Sequence, residues 1–385
     1  MRLLVLFVTA FVDMVGLAMV LPLLPFYATR FGASATVVGI LISAFSLAQL
    51  VMAPLWGRTS DRRGRRPVIV AGLLVTAVGY VLFATADTVI LLLASRIVQG
   101  LGGGTIGVVQ AYVADVSPPE RRTKSLGWLS AVTSLGAVLG PAIGSVLVRV
   151  GGQALPGWAA AGFAVLVAAF GWAFLRESRD AMSQTTEHPT PGREALVRVV
   201  THWREPAPRL IWTYSIGIGA FYGIIPLVPL LLHSRLGVTE ATIGYFIMYL
   251  GGMGVLMRTF VLGPLVDRLG EPRLSRWGII LLASGLAATA VGSGWVLIGL
   301  GFTLMPIGTA CLFPAVTSLL SQTVRRSERG LYLGLQQTYG GLTRVAFPIL
   351  GGATMDAIGV GTPFALGAML LLLALPLTKT REASP

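Results

Sequence analysis

Long apolar runs alternate with short polar connections along almost the whole chain. A membrane-spanning helix needs roughly 20 predominantly apolar residues. On that rule the first half offers spans at 3 to 25, 36 to 56, 68 to 86, 88 to 113, 125 to 148 and 157 to 175. The second half offers spans at 210 to 232, 240 to 262, 274 to 292, 295 to 321, 331 to 351 and 357 to 377. The pattern therefore predicts an all-α membrane protein of 12 transmembrane helices. The first run follows only Arg2 and exceeds the apolar core of a signal peptide, so it is expected to be a retained first helix.

The cations follow these spans. The ends and loops expected on one side hold 23 of the 29 Lys and Arg, while only Arg30, Arg149 and Arg235 fall on the other. Arg96, Arg258 and Arg344 lie within spans. The positive-inside rule then makes both termini cytoplasmic in a multi-pass protein of the cell inner (plasma) membrane. The net charge of +13 is thus a topological signal, and a nucleic-acid partner is not expected. Charged residues make up 12% of the chain, about half the share in a soluble domain. The single Cys311 excludes an intrachain disulfide framework.

The halves repeat each other at an offset of 204 to 207 residues. Leu21-Pro22-Leu23-Leu24-Pro25 recurs as Ile225-Pro226-Leu227-Val228-Pro229, and Gly57, Asp61, Arg62 and Gly64 recur as Gly263, Asp267, Arg268 and Gly270. Gly127, Pro141 and Gly144 recur as Gly334, Pro348 and Gly351. An even number of helices per copy gives both copies the same orientation, hence two pseudo-symmetric, parallel six-helix halves. The expected divisions are an N-terminal half (1 to 175), a cytoplasmic linker (176 to 208) and a C-terminal half (209 to 385). Within the linker Ala195, Leu196, Val199, Val200 and Trp203 share one helical face among arginines. That face fits either an amphipathic helix on the anionic inner leaflet or a solvated tether.

Few residues inside the spans can carry chemistry. Asp13 is the sole acid deep within one, ten residues into the first run, or roughly 15 Å along the axis. An acid at that depth must face a cavity, find a partner or take up a proton; it is read as a proton site, against a structural hydrogen-bonded acid. Arg96 enters from the opposite face at similar depth, either tuning that site or serving helix packing. Asp61, Arg62, Arg65 and Arg66 form a basic hairpin expected to need tight turns at Gly57 and Gly64, with Asp115 within reach of Arg65 and the start of the eleventh span offering Asp61 a helix N-terminus. Gly136, Gly140 and Gly144 share a face and permit close helix approach; with Pro141 they suit a hinge or static packing. Arg344 lies near mid-depth without an acid in its own half, and fits an anionic group on a substrate or satisfaction by Gln336, Gln337 or backbone. Phe26, Gln49, Tyr222, Tyr245, Met248 and Tyr249 are expected to line a substrate cavity. No phosphate loop, metal cluster or nucleophile constellation is legible, and His188, His202 and His233 are scattered; neither an enzyme nor a cofactor or metal site is expected.

Several of these motifs together resemble the major facilitator superfamily, in particular its drug:proton antiporters similar to tetracycline and multidrug efflux proteins. Gly57-Arg58-Thr59-Ser60-Asp61-Arg62-Arg63-Gly64-Arg65-Arg66-Pro67 resembles the loop signature between helices 2 and 3. Asp13-Met14-Val15-Gly16 with Pro22 and Pro25 is similar to the first-helix motif of the efflux branch. Arg96-Ile97-Val98-Gln99-Gly100 resembles the fourth-helix motif, and Gly136, Gly140-Pro141 and Gly144 the fifth-helix motif of antiporters. Tetracycline exporters are similar in carrying a further acid in helix 3, where this chain has Gly79. The resemblance implies the major facilitator fold, a cytoplasmic latch at the Asp61 hairpin, and proton-coupled efflux of a small amphipathic or hydrophobic compound. Small molecules, protons and membrane lipids are the implied partners. A carrier for a metabolite, sugar or lipid, and a membrane sensor that transports nothing, are the alternatives.

Overall fold

The computed structural model describes residues 2–175, 177, 192–326 and 328–378. Most of the expected linker before Gly192, His188 included, lies outside the described residues. Among those described the regular structure is helical, with no strand. The first half comprises α1 (Arg2–Val20), α2 (Leu24–Arg30), α3 (Ala35–Arg63), α4 (Arg65–Ala84), α5 (Val89–Gly103), α6 (Ile106–Val116), α7 (Arg122–Gly151) and α8 (Ala154–Phe174). After α9 (Gly192–Thr201), the second half comprises α10 (Pro206–Ile218), α11 (Val228–Leu236), α12 (Ile243–Leu256), α13 (Leu262–Val291), α14 (Trp295–Thr323), α15 (Arg329–Ala357) and α16 (Thr362–Ala374).

Helix occupies all twelve expected stretches. By length and composition 9 helical runs among the described residues are apolar enough to cross a membrane. The eighth and ninth expected spans fuse into the single run Ile243–Val291, bent at Gly270 with φ 69°. The eleventh stretch, α15, is not among the nine and carries Gln336, Gln337 and Arg344; the twelfth, Thr362–Thr378, is shorter than the others. The helices also overrun their expected ends. α3 continues through Gly57 to Arg63, because no residue before Gly64 (φ 95°) breaks it. Gly57 is therefore helical and not at a turn, which corrects the reading of two tight turns in the hairpin; only Gly64 makes one.

The duplication is written into the backbone. The described residues with positive φ are six glycines: Gly32 and Gly237, Gly64 and Gly270, Gly152 and Gly359. Each pair is related by the offset of the sequence repeat, so both copies close the same turns with the one residue that adopts such φ at little steric cost. The prolines repeat as well: Leu21–Leu23 and Ile225–Leu227 are both short 3-10 turns containing the first Pro of each pair, which lacks a backbone N–H and interrupts the α-helical ladder.

The chain forms two compact units. One is Met1–Thr185 with Val238–Tyr249, the other Thr186–Gly237 with Leu250–Pro385. In the first, Leu6, Val68, Leu73, Tyr112, Leu129 and Val167 belong to one buried cluster. A Cβ on Gly136, Gly140 or Gly144 would lie 2.8, 2.8 and 2.5 Å from the carbonyl oxygens of Phe11, Val15 and Met19. The glycine face of α7 is thus pressed against the backbone of α1, fixing the helix that carries Asp13. In the second unit Leu274, Cys311 and Ala315 pack together. There α9 is anchored by hydrogen bonds from Tyr339 Oη to Leu196 O (2.8 Å) and from Trp212 Nε1 to Val199 O (3.0 Å). Val199 is buried, whereas Val197, Val200 and Trp203 remain exposed.

Candidate functional site

Asp13 stands on the wall of a cavity of about 600 Å³ within the first unit, between α1, α6 and α7. Met14, Gln110, Ser130 and Thr133 line the same space. The carboxylate accepts no hydrogen bond from any described residue, yet its side chain is only half-buried. A buried carboxylate without a partner is costly because its acceptor oxygens go unsatisfied; one facing a cavity has room for water and can exchange protons there.

Arg96, on α5, is fully buried. Its Nη1 donates to Gln99 Oε1, Gln99 Nε2 donates to Gly79 O at 3.1 Å, and its guanidinium lies 4.6 Å from the Phe45 ring centroid. Nε and Nη2 have no acceptor, and no hydrogen bond or ion pair joins Arg96 to Asp13 among the described residues. Gly79 allows this geometry, since a Cβ there would come within 2.6 Å of Gln99. The position that resembles a helix 3 acid in tetracycline exporters thus receives a glutamine instead. Tyr80, one residue on, was not singled out in the sequence. It is fully buried, and its hydroxyl packs beside Gly16 on α1.

The hairpin after α3 centres on Arg65. Its Nη1 lies 2.8 Å from Asp61 Oδ1, its Nε 3.2 Å from Asp115 Oδ2, and Nη1 also donates to Ser60 Oγ at 2.6 Å. Glu177, absent from the sequence reading, caps α4 by accepting from Arg65 N (2.8 Å) and Arg66 N (3.3 Å), a favourable place for an anion at a helix N-terminus. Arg66 lies 4.5 Å from the Trp172 ring centroid. Arg62 is exposed.

A second polar knot, also missed, is built on Glu240. Its carboxylate pairs with Arg30 and accepts from Gln153 Nε2 (3.0 Å), and its carbonyl accepts from Ser145 Oγ (2.8 Å). Ser145 Oγ in turn accepts from Gly244 N at 2.9 Å. A Cβ on Gly244 would fall 1.9 Å from Pro141 O, so only glycine fits where the start of α12 rests on α7.

The expected cavity residues are divided. Phe26 is buried, and Gln49 donates to Gly103 O at 3.0 Å. Tyr245 and Tyr249 are exposed and Met248 half-buried on the α12 segment that clusters with the first unit. In the second unit Arg344 is brought to Tyr222, 5.3 Å from its ring centroid. Gln336, considered as a partner for Arg344, accepts instead from Thr317 Oγ1 (3.4 Å), and Gln337 donates to Tyr214 Oη (3.2 Å).

Among the described residues the chain is helical, its copies share their turns, and an acid faces a cavity inside one of them. The sequence profile described as Major Facilitator Superfamily matches residues 6–273 and again 257–385, and the protein belongs to that family. It is 31% identical to Multidrug resistance protein 1 of Bacillus subtilis (strain 168), over 97% of this chain and 94% of that protein. It is 30% identical to the class G tetracycline resistance protein of Vibrio anguillarum, over 95% of this chain and 94% of that one. In fold it is similar to the crystal structure of a mutant of the nucleoside transporter NupG, with a TM-score of 0.82, 14% identity and coverage of 99% of this chain and 100% of that chain. The protein is a multi-pass membrane transporter of the major facilitator fold.

Proposed function

We propose that this transporter is a proton-coupled efflux antiporter that exports a small amphipathic or hydrophobic, drug-like compound by alternating access across the inner membrane, with both termini cytoplasmic. The observation that carries the reading is Asp13: the sole acid deep in a span, free of protein hydrogen bonds among the described residues and facing a cavity. Protonation of Asp13 from outside and substrate binding from the cytoplasm oppose each other, which yields exchange. Arg96, held in place by Gln99 and Phe45, supplies a fixed positive charge that disfavours protonation of a nearby acid. The Asp61–Arg65–Asp115 cluster, with Gly64 and the Glu177 cap, acts as the cytoplasmic latch, and α7 with Pro141 is the element against which motion occurs. The similarity to multidrug and tetracycline resistance proteins supports the substrate class. In proteoliposomes, a pH gradient should drive transport of a lipophilic dye by the wild type, and Asp13→Asn should abolish it while dye binding survives. Gradient-driven transport by Asp13→Asn at the wild-type rate would refute this function for Asp13.

A further inference from the structure

Arg344 is a cation that the proton-coupling scheme leaves unused. It lies mid-way along α15, a half-buried residue whose Nε is buried without an acceptor. No ion pair joins it to any described carboxylate. The acid on its own helix, Asp356, is twelve residues further on, roughly 18 Å along the axis. A guanidinium within a helix expected to span the membrane and without a counter-ion is costly, so Arg344 calls for an anionic partner.

The position is constructed. Thr343 Oγ1 donates to Ser215 O at 2.9 Å, and Phe347 packs so tightly on Gly219 and Gly223 that a Cβ on either would come within 2.7 and 2.6 Å of it. α15 is therefore fastened to α10 and its extension on both sides of Arg344. Between those glycines, Gly219–Gly223 is a π-helical turn, a distortion that re-aims side chains and recurs at functional sites. It turns out Tyr222, which is 41% exposed, lies 5.3 Å from the guanidinium and stacks on Phe313 at 6.0 Å with 29° between planes. The guanidinium lies over the Tyr222 ring and Phe313 stacks on it, so the cluster offers a partly exposed aromatic ring beside a forked donor. A planar ring can pack edge to face against the exposed part of Tyr222, and a carboxylate or sulfonate matches the fork in charge and geometry, which an ammonium would not.

We propose that Arg344 with Tyr222 and Phe313 forms a binding site for the anionic group and ring of an aromatic monoanion, so that the exported compounds include aromatic carboxylates or sulfonates. The assignment deepens the efflux reading and rests on it for the direction of transport, although binding can be tested without transport. The probes are 2-naphthoate, 2-naphthamide and 2-naphthylmethylammonium, which share a ring and differ in charge, titrated calorimetrically into the purified full-length protein in detergent. Wild type should bind naphthoate at least about tenfold more tightly than naphthamide, with the ammonium weakest. Arg344→Gln should bring the naphthoate to naphthamide ratio to near unity, Arg344→Lys should retain part of it, and Tyr222→Leu should weaken both. Equal affinities of the three probes for wild type, or a preference that survives Arg344→Gln, would overturn the site; the wild-type comparison holds even if a variant misfolds. Dye transport under a pH gradient is measured in parallel, so a protein that prefers naphthoate but moves no dye would keep the anion site and lose the efflux reading, and the reverse outcome would do the opposite.

Discussion

The two halves share a backbone and differ in what they bury. At the offset that relates Gly64 to Gly270, Arg96 and Gln99 of the first half correspond to Phe302 and Met305 of the second, and all four are fully buried. The same offset turns the cation Arg65 into the acid Glu271. Arg65 is held by two carboxylates, whereas Glu271 accepts from neutral partners, Ser318 Oγ and Gln322 Nε2, both at 3.2 Å. In helix 1 the repeat of Asp13 is Gly217. Conversely, Arg344 corresponds to Ala137 in the first copy. Except at the Arg65 and Glu271 position, one copy carries an apolar residue or glycine at each of these places, so the first half's acid and buried arginine are not required to build six helices. Their polarity points to a task beyond folding.

Exchanging the chemistry between halves is the harshest test. Phe302→Arg should bury an unpaired charge in a span, costing roughly 3 kcal/mol and lowering the thermal midpoint in detergent or the yield of monodisperse protein. The reverse exchange, Arg96→Phe with Gln99→Met, should leave stability level or raised, because apolar residues often replace buried charges without loss, and should still abolish gradient-driven transport. If the double variant transports normally, the asymmetry has no functional meaning.

Packing gives the next test, at a closed and an open glycine. Gly144→Leu forces a side chain into the α1 backbone and should cost about 1 to 3 kcal/mol. Gly334→Ala, inside α15 where an added Cβ meets nothing within 4 Å, should instead stabilise by about 0.5 to 1 kcal/mol. Thermal denaturation distinguishes the two. The smallest difference lies in the hairpins, where partly exposed pairs are worth up to about 1 kcal/mol. Asp115→Asn should slow turnover with little change in substrate affinity, and Glu271→Gln should slow it less, since its present partners are uncharged; transport kinetics set against equilibrium binding give the comparison.

Much of this was legible in the sequence because it is local or periodic. Apolar run length gave the spans, and repeated Pro and Gly gave the duplication, down to the turns at Gly64 and Gly270. Helix ends were less legible: α3 runs seven residues past the expected limit of its span because its polar end contains no breaker before Gly64, and the polarity that ends a membrane span does not end a helix. The partners of the charged residues were least legible. Glu177 caps a helix 111 or more residues away in sequence, and Glu240 meets Arg30 across 210. No spacing rule reaches that far. Tyr80 escaped notice because a tyrosine in an apolar run resembles any other core aromatic until its neighbours are known. The π-helical turn at Gly219–Gly223 likewise depends on Phe347 from another helix, although its two glycines left a trace.

Proton release on substrate binding tests the role of Asp13 most directly. Wild-type protein in weakly buffered detergent solution should release protons when a saturating lipophilic substrate is added, and Asp13→Asn should bind the same substrate and release none. Undiminished release from Asp13→Asn would place the transported proton on another group and remove the exchange step from the mechanism.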